Sequence, residues 1–198
     1  MATGHGGNLG LVPAPGTGPE RVLLVEGGSD AAALHAVAAR LGRSLADERV
    51  QVVAMGGATN VGRHLASLAP GVAVGGLYDA PEERFFRRGL ERAGFGPVRD
   101  RTDLEAHGFF GCDADLEDEL VRALGLEDAL RVVAGQGELA AFRILQRQPA
   151  QRDRTVEQQL HRFLGTRSGR KSLYAQLLVE ALDLSRVPPP LEAVLREV

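Results

Sequence analysis

The chain has 198 residues, 44% of them hydrophobic, enough to bury one sizeable core. A net charge of −3 excludes a polycation, and no apolar stretch approaches the roughly 20 residues of a membrane span. Its one cysteine, Cys112, excludes an internal disulfide framework, fits a reducing cytoplasm, and reads as a small buried apolar residue.

Residues 1–20 carry no basic start and only a very short apolar patch, so a flexible Gly/Pro tail is expected there rather than a signal peptide. Arg21–Glu26 is an apolar run without alternation, the pattern of a strand buried on both faces, and it ends on a carboxylate. Ser29 is expected to cap the helix that follows, with Asp30 at its positive end and Gly42 as its stop. A second strand is expected at Val50–Met55, then Gly56-Gly57, then a helix from about Thr59 to Leu68. A third strand, Val72–Tyr78, leads to Asp79, and Pro81 opens a helix to about Ala93 as an N1 proline. A polar Gly/Pro-rich connection reaches a fourth strand, Gly108–Cys112, and a helix from about Leu116 with Gly125 beyond its end.

Strands and helices thus alternate to about residue 125, the pattern of an α/β fold with parallel strands and crossover helices. After that the periodicity is helical only: Leu126–Val133, Glu138–Arg147, Val156–Leu164, Lys171–Leu182 and Leu191–Val198. The expected organisation is a tail at 1–20, a four-stranded, mainly parallel α/β core at 21–125, and a helical extension at 126–198 packed on it.

In an open parallel sheet ligands sit beyond the carboxyl ends of the strands. Glu26, Asp30, Asp79, Asp113, Asp115 and Glu117 should therefore face one rim. Like charges about 4 Å apart repel by roughly 4 kcal/mol at an effective dielectric near 20. Either protons or a cation must sit among them, and hard oxygen ligands favour Mg²⁺ or Mn²⁺. Four of the five histidines, His35, His64, His107 and His161, are scattered without metal-ligand spacing and read as structural or exposed. Basic residues concentrate between Phe142 and Lys171, an electrostatic footprint for a polyanion or, alternatively, a solvated basic face. Lys171 is the only lysine in the chain. Phe85-Phe86 read as core residues, and the absence of tryptophan argues against a base-stacking platform.

These segments resemble the TOPRIM fold of topoisomerases, primases and OLD-family nucleases. LLVEGGSD resembles its first motif, MGGATNV its Gly-rich second turn, and VGGLYDA its third. ADLEDELVRALG resembles the acidic helix start of OLD-type TOPRIM domains, and GRKSLYAQLLVEAL their Lys-bearing helix. The likeness spans residues 21–182. It implies that Glu26 is a metal ligand and general acid/base, that Asp30 and Asp79 are ligands, and that Glu117, with Asp115 as alternate, completes a second metal position. It implies that Lys171 stabilises charge on the phosphate, and that Gly27, Gly56 and Gly57 let backbone approach the site. Arg143, Arg147, Arg167 and Arg170 would hold a nucleic-acid backbone, DNA first.

The third motif departs from the usual Asp-x-Asp: it reads Asp79-Ala80-Pro81, and Glu82, Glu83, Asp113 and Asp115 are the acids open as replacements. Full-length OLD proteins join this domain to an ABC-type ATPase, but no G-x-x-x-x-G-K-[ST] occurs here, so an ATPase would come from another chain. The expected activity is Mg²⁺- or Mn²⁺-dependent phosphodiester hydrolysis in the cytoplasm, with no membrane partner and with apolar helix faces left for a homodimer. The alternative is a catalytically weak module that binds nucleic acid or a protein.

Overall fold

The structure, a computed structural model, describes residues 18–167 and 169–198. Most of the expected tail, residues 1–17, lies outside the described residues. Four strands form one sheet: β1 (Arg21–Val25), β2 (Val50–Ala54), β3 (Ala73–Asp79) and β4 (Phe109–Cys112), in the order β2-β1-β3-β4. All neighbours are parallel, with Val25 opposite Ala54, Leu24 opposite Gly76, and Asp79 opposite Cys112. The expected α/β class is the observed one.

Strand β1 is buried on both faces because the chain covers both. Val22 and Leu24 point into one core with Val61, Leu65, Phe86, Leu90 and Phe109. That core is closed by α2 (Val61–Ala66), α3 (Glu83–Arg92) and α4 (Arg101–Ala106). Leu23 and Val25 point the other way, into a core shared with α1 (Gly28–Arg40) and the later helices. Those are α5 (Leu116–Leu124), α6 (Leu126–Gly135), α7 (Leu139–Gln146), α8 (Val156–Leu164), α9 (Arg170–Ala181) and α10 (Pro189–Arg196). Helix α1 lies against α9, and its Arg40 Nη1 donates to the carbonyls of Val179 (2.7 Å) and Leu182 at the α9 C-terminus. The guanidinium thereby joins the Leu182 N–H on the Val179 carbonyl and reaches the Leu182 carbonyl just beyond the helix.

Several local expectations are corrected. Ser29 lies inside α1; the N-cap is Gly27, whose N–H donates to Asp30 Oδ2 at 2.8 Å. Asp30 reaches back to the chain entry and so takes over the capping role expected of Ser29. Pro81 opens a single 3-10 turn, Ala80–Glu82, and α3 begins after it. The polar connection before β4 contains a helix, α4, capped by Asp100 through the Asp103 N–H. Six residues is too short for a periodic signal.

Gly76 explains a feature of VGGLYD that patterning could not. A Cβ there would lie 1.9 Å from the Leu24 carbonyl oxygen, so β3 pairs this closely with β1 only without a side chain. Among the described residues no helix is long and apolar enough to cross a membrane.

Candidate metal centre

The chain runs from β1 outward to β2 and then returns to β3 on the other side of β1, so a crevice opens between the carboxyl ends of β1 and β3. Glu26 follows β1 directly, and Asp79 is the last residue of β3. The Glu26 carbonyl accepts the N–H groups of Gly56 (3.0 Å) and Gly57 (3.1 Å). Both glycines have left-handed backbones, φ +72° and +122°, which aim two successive donors at one oxygen. Their position thus fixes the end of β1 where Glu26 departs.

Asp30 comes from the first turn of α1 and is only 8% exposed. Asp115 is the N-cap of α5, its Oδ1 accepting the Asp118 N–H at 2.9 Å. Glu117 follows in the first turn of α5 and is 2% exposed. From α9, Lys171 Nζ donates to Glu117 Oε2 at 3.1 Å. From α8, His161 Nε2 contacts Asp115 Oδ2. Glu117 Oε1 is buried without a hydrogen-bond partner.

The carboxylates raise one another's proton affinity, which marks them as one cluster. Asp79 is pushed up to about 8 by burial and then by Asp30, Asp115, Glu26 and Glu117. Glu26 is pushed up to about 7 by burial, by a hydrogen bond with Glu82 and the Glu82 charge, and by Asp30, with Lys171 opposing. Asp30 rises to about 6 through burial, although the Gly27 N–H and Lys171 favour its anion and Glu117 does not. Burial works against the Lys171 ammonium, but Glu117, Asp115 and Asp30 outweigh it and hold its pKa above the ordinary value. Asp115 is disfavoured as an anion by burial, yet His161 and the Asp118 N–H bring its pKa below the usual range. His161 is raised in turn by Asp115. Among the described residues the groups able to carry positive charge beside these acids are Lys171 and His161, fewer than the acids. A divalent cation would relieve the excess negative charge.

The structure therefore brings Glu26, Asp30, Asp79, Asp115, Glu117 and Lys171 together, as their convergence on the crevice required. The acids open as replacements in the third motif divide. The 3-10 turn at Pro81 directs Glu82 against Glu26, with Glu82 Oε2 buried and without a donor. Glu83 instead pairs with Arg87 at 3.4 Å. Asp113 faces outward, pairing with Arg101 (3.4 Å) and Arg122 (3.8 Å).

His161 is the residue that sequence reasoning missed. It lies 46 positions from Asp115, and only the packing of α8 beside α5 makes them neighbours. One donor atom each from Asp115, Glu117 and His161 lie within 4.8 Å of one another, a fit for a metal ion that is sharpened by the orphaned Glu117 Oε1. Beside them an open cleft of about 540 Å³ is lined by Pro81, Asp115, His161 and the exposed Arg154, among others.

The four arginines expected on a nucleic-acid backbone divide. Arg143 and Arg147 are exposed on and just after α7. Arg167 is 73% exposed, 3.8 Å from Glu138. Arg170 is 6% exposed: it pairs with Glu138 at 2.7 Å, donates to the Phe163 carbonyl at 3.1 Å and stacks on the Phe163 ring. A guanidinium so occupied braces α9 against α8 and has no free edge for phosphate. Cys112 is buried, as expected, and burial pushes its thiol up, away from reactivity.

Residues 20–70 match the family model described as the TOPRIM domain of overcoming-lysogenization-defect-like proteins. That span holds Glu26, Asp30, Gly56 and Gly57; Asp79, Glu117 and Lys171 lie beyond it. The fold is similar to the C-terminal region of the Xanthomonas campestris pv. campestris OLD protein, with 24% identity, a TM-score of 0.66, and coverage of 90% of this chain and 93% of that one. It is also similar to the C-terminal region of the Burkholderia pseudomallei OLD protein, with 22% identity, a TM-score of 0.62, and coverage of 90% and 96%. No curated protein sequence matches the chain. The family model thus matches the stretch that carries the first two motifs, and nearly the whole chain is similar in fold to these C-terminal regions of OLD proteins.

Proposed function

We propose that this domain hydrolyses phosphodiester bonds in nucleic acid, DNA first, with Mg²⁺ or Mn²⁺. The observation that carries the reading is the convergence of acids from β1, α1, β3 and α5 on one crevice, with the chain's single lysine beside them. Glu26, Asp30 and Asp79 would hold one cation, and Asp115 and Glu117 the second. A bound divalent ion supplies an activated water and counters the charge that develops on the phosphate.

The chain's own groups have complementary tasks. Glu26, with a pKa near neutrality, is suited to exchange a proton with the attacking water or the leaving oxygen. Burial raises that proton affinity most, and Glu82 in the adjacent turn raises it further. Lys171 places a permanent positive charge toward the same pocket. Arg154 in the adjoining cleft, with Arg143, Arg147 and Arg167, would hold the strand by its phosphates; Arg170 leaves that set. Residues 21–125 would form the catalytic core and residues 126–198 the extension that lends it His161 and Lys171. An ATPase acting in trans, a homodimer through exposed helix faces such as that of Ile144, and a cytoplasmic location belong to the same reading.

Nicking of supercoiled plasmid in Mg²⁺ or Mn²⁺ by the full chain and by Glu26→Gln is the direct test. Equal rates remove Glu26 from the mechanism. A chain that neither binds divalent ions at millimolar concentration nor nicks is a binding module instead.

A further inference from the structure

We infer that the second metal position is a mixed nitrogen–oxygen site, Asp115–Glu117–His161, which selects a first-row transition-metal ion over Mg²⁺. The inference rests on reading the acid cluster as a metal centre, but not on hydrolysis. Two independent features point to a ligand here. The donor atoms of the three side chains gather within 4.8 Å. One of them belongs to Glu117, which is 2% exposed and leaves Oε1 without a partner in the protein interior. A buried carboxylate oxygen with no donor loses its hydration without compensation, and an ion restores it.

The histidine decides which ion. Mg²⁺ strongly prefers an all-oxygen octahedron, whereas an imidazole nitrogen strengthens binding along the series from Mn²⁺ to Cu²⁺. Donors around a shared ion at about 2.1 Å lie about 3–3.5 Å from one another, so side chains already this close need only small shifts to close on it. His161 keeps 44% of its side chain exposed and lines the 540 Å³ cleft, so an ion has an entry path and open positions remain for water or a phosphate oxygen. The two positions would then differ: Glu26, Asp30 and Asp79 offer oxygen alone, while Asp115, Glu117 and His161 add nitrogen. Lys171 pairs with Glu117 through Oε2 and leaves Oε1 for the ion.

Mn²⁺ binding to the full chain, followed by electron paramagnetic resonance with and without millimolar Mg²⁺, tests this. Wild type should retain an Mg²⁺-resistant Mn²⁺ whose pulsed spectrum carries a nitrogen hyperfine coupling. His161→Ala should lose that coupling and at least about tenfold in affinity for the resistant ion. His161→Asp should bind Mn²⁺ again, without the nitrogen signal and with the ion now displaced by Mg²⁺. Glu26→Gln should weaken the Mg²⁺-displaceable ion and spare the resistant one. A wild-type spectrum without nitrogen coupling, or Mn²⁺ that Mg²⁺ displaces equally from every position, overturns the inference. If the nitrogen signal is present but plasmid is never nicked, the hydrolase reading fails and the metal site stands.

Discussion

Replacing Asp30 with Asn isolates what the acid cluster does to the metal-free protein. Asp30 is 8% exposed, and burial carries its pKa from the ordinary 3.8 to about 6. The folded state therefore holds this proton more tightly than the unfolded state does. Below pH 4 both states are protonated and the group is neutral in its effect. As pH rises toward 6 and beyond, the folded state must carry a buried anion, and stability is lost. At about 1.4 kcal/mol for each tenfold difference in proton affinity, that loss reaches about 3 kcal/mol by pH 8. Asn has the same shape and still accepts the Gly27 N–H, so Asp30→Asn should be more stable than wild type by about 3 kcal/mol at pH 8 in chelator. The gain should shrink to a small fraction by pH 4. Urea unfolding at the two pH values, monitored by circular dichroism, measures it. Mn²⁺ at about 1,000 Kd should reverse the order, because binding to the folded state then adds about 4.1 kcal/mol and the variant binds poorly. A gain that is absent, or equal at pH 4 and pH 8, would refute the claim that Asp30 is held as a strained anion.

Three further outcomes follow from the same geometry. Glu82→Gln removes the acid beside Glu26, so the Glu26 pKa should fall below 7 and the acidic limb of the nicking profile should move to lower pH; an unmoved limb would separate the two residues. Arg170→Ala removes a buried guanidinium that pairs with Glu138 and stacks on Phe163, leaving Glu138 with Tyr174 and Arg167, and should cost about 2 kcal/mol, roughly 6 °C in Tm, without changing the salt dependence of DNA binding, whereas Arg143→Ala should leave Tm alone and lower that salt slope by about 1. Gly76→Ala should destabilise by about 3 kcal/mol or more, read by denaturation or failure to fold, since its methyl would overlap the Leu24 carbonyl; a normal Tm would mean that β1 and β3 are not in the register described.

Much of the fold was legible because each element carried a local signal. The unbroken apolar run of β1 announced a strand covered on both faces, and the helical period of α5, α6 and α8 placed those helices within a residue or two. Helix α4 stayed hidden because a single capped turn and a half has no periodicity to show. Ser29 was misread as the cap because the helix already begins at Gly28, with Gly27 as its N-cap and the Asp30 carboxylate accepting the Gly27 N–H.

The candidate site divides along the same line. Glu26, Asp30 and Asp79 could be read from the chain because strand ends in a parallel sheet share one edge, so their position along the sequence fixes their position in space. His161, Glu82 and Arg170 could not be. Whether a histidine on α8 meets an aspartate on α5, whether a glutamate after Pro81 turns inward, and whether an arginine is a phosphate ligand or a brace depend on how helices pack and where side chains then point. Sequence by itself determined the strands, their shared rim and most of the acids. Tertiary packing alone decided which charges are paired, which are stranded, and that an imidazole stands among the oxygens, because contacts across 46 residues are set by the burial of whole helix faces and not by any local preference.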